Sequence, residues 1–493
     1  MSPMAPDAER PERPTHLLHR LTCYTPEREW TEVPDDDRLV QDLVPNDVTR
    51  RPQPYKRYDD DLRRVLLPPD LPASAPPATA VLAGTADVDP SPLDLPGLAR
   101  LLYLSSGVTR RTTRPDGGLV LFRAAGSAGA RFPLELYVAV PRGAGVDGLE
   151  PGVHWYDPEA HTLVVIGPPP SGEATTLVVT GVPWRTGWRY RERGFRHIYW
   201  DAGTMLAQTL ALADSAGLVA RLFTTFPDAE VSALVGADRV HEFPVAIVAL
   251  GDGRPALHPT GDPMSGHHDT DGLEFPLVTA AQRAGEQTVL GAELERGPAV
   301  PVLSPDPGVG IDAVIASKGS IRRLHRDRSV PRVLLVDAMA VATRGVDVPH
   351  WVGVSAVEGV PTGIHRWPDV AEAVRPLDEE TVRAELYSAA LEQGLAGDAA
   401  FVAMSGADLA TLDDHDYRDV QLLSGLVEGR LHLMAYALGA AASGMTFRDS
   451  DLASLLGSDV AGLLWTCVGV PEYRTRPSGQ PGSPADVTIV WPR

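Results

Sequence analysis

The chain has 493 residues, 43% of them hydrophobic, with 65 acidic side chains against 44 Lys and Arg. A net charge of −21 excludes a general nucleic-acid binder, which needs clustered cations to release counterions, and otherwise serves solubility. At about 100–200 residues per domain the length suggests two to four domains.

Residues 1–90 read as an N-terminal arm with short helices. Met1 to Pro14 is polar and Pro-rich and has no apolar core of a secretory signal. No apolar run approaches the roughly 18 residues a membrane span needs. Cys23 and Cys467 are the only cysteines, too far apart for a disulfide framework, which points to a reducing, cytoplasmic setting. Pro68-Pro69, Pro72 and Pro76-Pro77 mark a linker.

Residues 91–255 then read as a first domain. Leu98 to Ser106 has helical apolar spacing, and Phe132 to Val140 alternates as a strand. A second strand runs from His161 to Ile166. Asp201 to Leu218 reads as a helix buried on most sides, and Phe243 to Leu250 as a further strand. Residues 256–305, rich in Gly, Pro, His and Asp, form a connection. Its Gly266-His267-His268-Asp269 run has no companion ligand cluster of fixed spacing, so it is read as a solvated loop.

A second domain spans 306–493. Gln421 to Ser443 mirrors the buried helix, Leu463 to Val470 mirrors the strand at 243–250, and Asp486 to Trp491 is a candidate terminal strand crossing to a partner sheet. The mirroring extends to single residues. Gly148, Gly152, His154, Phe195-Arg196, Phe226, Asp228, Val231, Gly236 and Asp238 recur in order as Gly359, Gly363, His365, Tyr417-Arg418, Phe447, Asp449, Leu452, Gly457 and Asp459. A long repeat of matched order implies two similar α+β domains packed as an intramolecular pseudo-dimer.

Three stretches could carry chemistry. Small residues from Ala125 to Ala130 around Ser127 let backbone approach a flat ligand, and the hydroxyl can bond ring heteroatoms. Lys318, Ser320 and Arg322, at i, i+2 and i+4, can converge on an anion, helped by a helix N-terminus if one begins nearby. Arg185, Arg189, Tyr190, Arg191, Arg193 and Arg196 interleave with Trp184, Trp188 and Phe195. This run is either a surface stripe or a lid whose Tyr190 passes a proton, its pKa lowered by the neighbouring cations. There is no phosphate loop, His-Glu-x-x-His, Cys-x-x-Cys or dinucleotide fingerprint.

Leu101 to Gly107, Arg123 to Val140, Gly148 to Asp157, Arg189 to Arg196 and Asp201 to Gln208 resemble the SagB-type dehydrogenases, flavoproteins of the nitroreductase superfamily. The second copy resembles a more diverged nitroreductase-like domain. The resemblance implies an α+β fold of two tandem domains, each a mostly antiparallel sheet wrapped by helices. It implies FMN as cofactor and oxidation of azolines to azoles in a ribosomally made precursor peptide, with a cyclodehydratase or other biosynthetic enzyme as possible partner.

Residue by residue, Gly126-Ser127-Ala128-Gly129 matches the family's Pro-Ser-Ala-Gly turn against the flavin, with Gly for Pro. Lys318-Gly-Ser320-Ile-Arg322 matches its Arg-x-Ser-x-Arg phosphate motif, and Arg474 and Arg476 match basic residues after the last strand. The family's Lys-Tyr active-site pair is Arg189-Tyr190 here. Arginine cannot act as a base, so Tyr190 is the stronger proton-transfer candidate. The first copy keeps the serine turn, and the second keeps the phosphate motif and lacks a serine turn. One FMN per chain, shared between the halves, follows. Another flavin oxidoreductase on the same fold, or a flavin-free scaffold for a modifying enzyme, are the alternatives.

Overall fold

The computed structural model describes residues 12–25, 49–114, 117–143, 145–268 and 273–492. The arm contributes α1 (Pro14–Leu21), β1 (Arg64–Leu66) and α2 (Ala78–Ala83). The first half continues with α3 (Leu95–Ser106), β2 (Val108–Thr113), β3 (Leu119–Arg123), β4 (Leu134–Val140), β5 (Gly152–Asp157), β6 (Thr162–Gly167), β7 (Thr175–Gly181), α4 (Pro183–Tyr190), α5 (Gly194–Ser215), β8 (Ala220–Phe223), α6 (Asp228–Val235) and β9 (Phe243–Leu250). After the connection, which holds α7 (Pro276–Ala284), come α8 (Ile311–Ser317), β10 (Val330–Pro331), α9 (Arg332–Ala342), β11 (His350–Val354), β12 (Val357–Glu358), β13 (Gly363–Arg366) and β14 (Arg375–Pro376). The chain ends with α10 (Glu379–Ala389), α11 (Gly394–Asp398), β15 (Phe401–Ala407), α12 (Asp414–Ala437), β16 (Ala441–Met445), α13 (Leu452–Leu456), β17 (Ala461–Gly469) and β18 (Ala485–Asp486).

Two antiparallel sheets form, in the orders β1-β6-β5-β4-β7-β9-β8 and β14-β13-β11-β15-β17-β16. Apart from β1, which the arm adds at the edge, the orders match strand for strand. The repeated Gly152 and Gly363 open corresponding strands, β5 and β13. In β4 the alternation does not separate core from solvent, because every residue is buried. Leu134, Leu136, Val138 and Val140 pack into the main core, while Tyr137 and Ala139 pack into a second core on the opposite face.

The long helices α5 and α12 pack against each other at the centre. Their crossing depends on glycine. A Cβ on Gly203 would lie 2.1 Å from the Leu422 carbonyl oxygen, and one on Gly425 would lie 2.3 Å from that of Trp200. Backbone therefore touches backbone where the halves meet. Around this crossing the repeat becomes reciprocal. Arg196 of the first half binds Asp449 of the second at 2.8 Å, and Arg418 of the second binds Asp228 of the first at 3.0 Å. All four side chains are nearly or fully buried. Each surface contacts its own equivalent, as in an isologous dimer interface.

Several elements differ from expectation. Helix α5 starts seven residues before Asp201, so the arginine-rich run is neither a surface stripe nor one lid. Arg185 is buried against Glu135, and Arg193 and Arg196 are buried on Asp449, while Arg189 alone of these four is exposed. Helix α12 spans Asp414–Ala437, because Asp413 and Asp416 form a capping box at its start and Gly439, at φ +81°, turns the chain into β16. The terminal strand is only Ala485–Asp486, and it pairs in parallel with β2 of the first half. Asp269 and the arm residues 1–11 and 26–48 lie outside the described residues. His267 and His268 turn to different carboxylates, Asp59 and Glu242. No described helix is long and apolar enough to cross a membrane.

Candidate functional site

Between β3 and β4 the chain makes the tight turn that carries Ser127. Gly129, Ala130 and Phe132 all have positive φ there, between +48° and +56°. A Cβ on Gly129 would sit 2.6 Å from the Tyr190 phenol oxygen, so the glycine is needed for both space and conformation. The Ser127 hydroxyl lies 2.5 Å from Asp201 Oδ2 and accepts the Phe132 N–H at 2.8 Å. The Ala128 N–H donates to Asp201 Oδ1 at 3.0 Å. Asp201, on α5, thus holds the turn from beneath, and Ala125, Gly126, Ser127, Phe132, Asp201 and Met205 line a small cleft.

From across the interface comes the second candidate group. A Cβ at Gly126 would lie 3.9 Å from the Ser320 hydroxyl and from Thr204, an ordinary contact distance. The serine turn of one half therefore faces the Lys318-to-Arg322 segment of the other. No helix begins at this segment, so that condition is not met: α8 ends there, with Lys318 as its C-cap. An anion at this place gains no helix N-terminus.

Lys318 is instead buried, 3% exposed. No carboxylate lies within 4 Å of its ammonium among the described residues. Burial draws its pKa down to about 8, opposed by Glu428 and reinforced by Arg110. Glu428 accepts from Thr204 at 2.8 Å and lies 3.3 Å from His432.

Ser320 and Arg322 are exposed, as are Arg474 and Arg476. The two segments run side by side: the Arg322 N–H donates to the Tyr473 hydroxyl at 3.0 Å, and Gly319 abuts Thr475. Arg476 donates to the Asp486 carbonyl at 2.7 Å, tying the segment to β18. Of the residues expected from sequence, Ser127 lines the cleft, Gly126 beside it approaches Ser320, and Gly129 approaches Arg189 and Tyr190, while the Arg474–Arg476 segment runs along residues 319–322.

At the rim Arg189 is exposed and Tyr190 half-buried, its ring 4.0 Å from that of His197. The expected lowering of the Tyr190 pKa does not occur. Burial raises it more than Arg189 and Arg131 lower it, so the phenol stays neutral. Asp201, Glu428, His432 and Arg110 were not singled out from sequence. The available signal was Glu428 and His432 one turn apart in the stretch from Gly425 to Ala437, where Arg430 is the only other charged residue, since such residues are rarely buried without purpose.

The pseudo-symmetric position is closed. In the second half only residues 343–349 join α9 to β11, where residues 107–133 join α3 to β4. Gly84 caps α2 as Lys318 caps α8, and the Arg344 guanidinium packs on it. The connection fills the remainder: the Val300 N–H bonds the Ala83 carbonyl at 3.0 Å, and Gly297 abuts Gly345. Elsewhere His19, Cys23 and Asp449 approach one another, but Arg193 and Arg196 occupy the two carboxylate oxygens.

A protein of Methanocaldococcus jannaschii named as a nitroreductase is 30% identical over 176 residues, 33% of this chain and 82% of its own length. A crystal structure of a protein from Anabaena variabilis, also named as a nitroreductase, superposes with a TM-score of 0.70 at 22% identity. It covers 94% of this chain and 100% of its own. One from Ralstonia eutropha matches 42% of this chain and 98% of its own, at 21% identity and a TM-score of 0.30. No family model matches.

Proposed function

The chain belongs to the nitroreductase family, and from that premise we propose that it is an FMN-dependent dehydrogenase converting azoline rings to azoles in a ribosomally made peptide. The observation that supports the flavin reading is the approach of the Ser127 turn, through Gly126, to Ser320 of the other half, in the segment that opens with buried Lys318. A buried ammonium without a carboxylate partner is costly, and an anionic group brought by a ligand relieves that cost. The residues fit FMN in chemistry. Lys318, Ser320 and Arg322, with Arg474 and Arg476 beside them, would hold the phosphate. Ser127, Ala128 and Gly129 would meet the ring. The residue divisions 91–255 and 306–493 then serve as the two contributing domains, with no second copy of the chain required.

FMN, when bound, supplies the acceptor for the hydride leaving the ring carbon. The chain must handle the accompanying proton. Tyr190, partly exposed at the rim, does so as a neutral hydroxyl that passes its own proton to solvent water as it takes the one from the ring. Arg189 holds charge at the rim and orients Tyr190. The heterocyclised precursor peptide is the substrate, and the enzyme that makes the azoline is the natural partner, in the cytoplasm.

A second reading draws on Arg189, which stands where the resembled family has lysine and cannot be a base. It makes the chain a flavin oxidoreductase of the same fold acting on another small molecule or peptide. Purified protein assayed for released FMN, then for oxidation of an azoline peptide against reduction of a nitroaromatic, separates the readings. Bound flavin with azoline turnover supports the first, and bound flavin with nitroaromatic turnover alone supports the second. Colourless protein that takes up no FMN defeats both and leaves a scaffold.

A further inference from the structure

We infer that Asp201 is a positioning residue that decides whether Ser127 presents a hydrogen or a lone pair to a ligand in the cleft. This rests on the flavin reading above. A serine hydroxyl has one hydrogen to donate and two lone pairs. The Phe132 N–H takes one lone pair of Ser127. When Asp201 is ionised it can only accept, so its oxygen 2.5 Å away claims the Ser127 hydrogen. Ser127 then shows the cleft nothing but a lone pair. When Asp201 is protonated, its own O–H donates to the second lone pair and the Ser127 hydrogen is free to point into the cleft. Oδ1 accepts from the Ala128 N–H in both states, so the turn stays in place while the polarity of the hydroxyl reverses.

The surroundings set this choice near neutrality. Burial raises the Asp201 pKa to about 7, against hydrogen bonds from Ser127 and Ala128 and with help from the Glu428 charge. Glu428 faces it from α12, with His432 and Lys318 behind. Tyr190 on α4, beside Arg189, faces it from the rim, and Thr204 lies on its own helix, bonded to Glu428. The edge of an oxidised isoalloxazine that offers ring nitrogen and carbonyl acceptors prefers the hydrogen-donating state. Affinity for FMN therefore falls as pH rises through about 7, where Asp201 ionises.

The test is the dissociation constant of FMN between pH 6 and 8.5, read by quenching of flavin fluorescence, for wild type, Asp201→Asn and Ser127→Ala. Asparagine accepts from Ala128 and donates permanently to Ser127, so it mimics the protonated acid. The FMN phosphate and Lys318 titrate alike in all three proteins, and ratios between proteins cancel them. Wild type and Asp201→Asn should bind alike at pH 6. Wild type should then weaken relative to the variant by about three- to tenfold at pH 8.5, the worth of one hydrogen bond. Ser127→Ala should bind more weakly than wild type at pH 6 and approach it at pH 8.5. If Asp201→Asn does not fold, this second ratio carries the test alone. Ratios that stay flat with pH, while FMN is bound, overturn the inference and leave the flavin reading standing. Absence of FMN binding by wild type at every pH overturns both.

Discussion

Lys318 is the residue at which stability and binding pull apart. Its ammonium is buried without a carboxylate partner among the described residues, and burial lowers its pKa to about 8. A lysine whose folded pKa lies below its unfolded value penalises folding while it is charged in both states. The penalty is full below about pH 8 and fades as pH rises toward the unfolded value near 10.4. Lys318→Met should therefore raise the stability of the FMN-free protein at pH 7, by about 1–3 kcal/mol, and lose at least tenfold in FMN affinity. Urea titration and flavin fluorescence measure the two effects, and a loss of both would mean that Lys318 is structural. Tyr190 makes the complementary case. Tyr190→Phe keeps the ring packed on His197 and removes only the hydroxyl. FMN affinity should hold within about twofold while single-turnover substrate oxidation slows by about 10²–10⁴-fold, the range for a lost proton-transfer group.

The element that decides whether a site exists is the α5–α12 pair. Gly203 and Gly425 let the two backbones touch, so any side chain there forces the helices apart. Gly203→Val should destabilise the chain by about 3 kcal/mol or more and abolish FMN retention, because Asp201 of α5 holds the serine turn while Tyr436 of α12 holds Gly319 beside Lys318. Asp449 anchors the same pair from its end. It accepts from Arg193 and Arg196, and from the backbone N–H of Tyr24 in the arm, so one carboxylate joins three parts of the chain. Burial alone would raise its pKa, but the two guanidiniums hold it well below the usual carboxylate range. A depressed carboxylate contributes stability that is complete above the unfolded value near 3.9 and is lost as pH falls through the lower folded value. Asp449→Asn, which leaves two buried arginines uncompensated, should cost about 3–5 kcal/mol at pH 7. The gap from wild type should narrow below about pH 4, as measured by denaturant midpoints across pH.

At the scale of the whole molecule, the two halves share one architecture, and the proposed function divides the flavin contacts between them. The sheets match strand for strand, and Arg196–Asp449 mirrors Arg418–Asp228. The two positions related by that symmetry, at the Ser127 turn and at Arg344, are not alike. At one, Gly126 of the serine turn approaches Ser320, while the other is filled by Arg344 and the connection near Gly297 and Val300. Flavin absorbance against protein concentration should therefore give one FMN per chain. Two per chain would show that the closed position opens. Arg344→Ala should leave the ratio at one, because the connection still fills the space.

The sequence by itself determined what depends on near neighbours. Alternation placed β4, an apolar run ending at Gly251 placed β9, a run of small residues marked the turn at Ser127, and matched order from Phe226 to Gly236 and from Phe447 to Gly457 disclosed two halves. These signals are local because strand pleat, turn conformation and helix pitch repeat over a few residues. Only the tertiary structure decided which charges are buried and with whom. The arginines of α4 and α5 look alike in sequence. Arg196 goes to a carboxylate 253 residues away, while Arg189 stays at the surface. Asp201 meets a serine 74 residues earlier in the chain. Lys318 reads as one of several cations until the fold removes it from water. Desolvation and long-range pairing depend on what the rest of the chain brings alongside, and no spacing within a short segment encodes that.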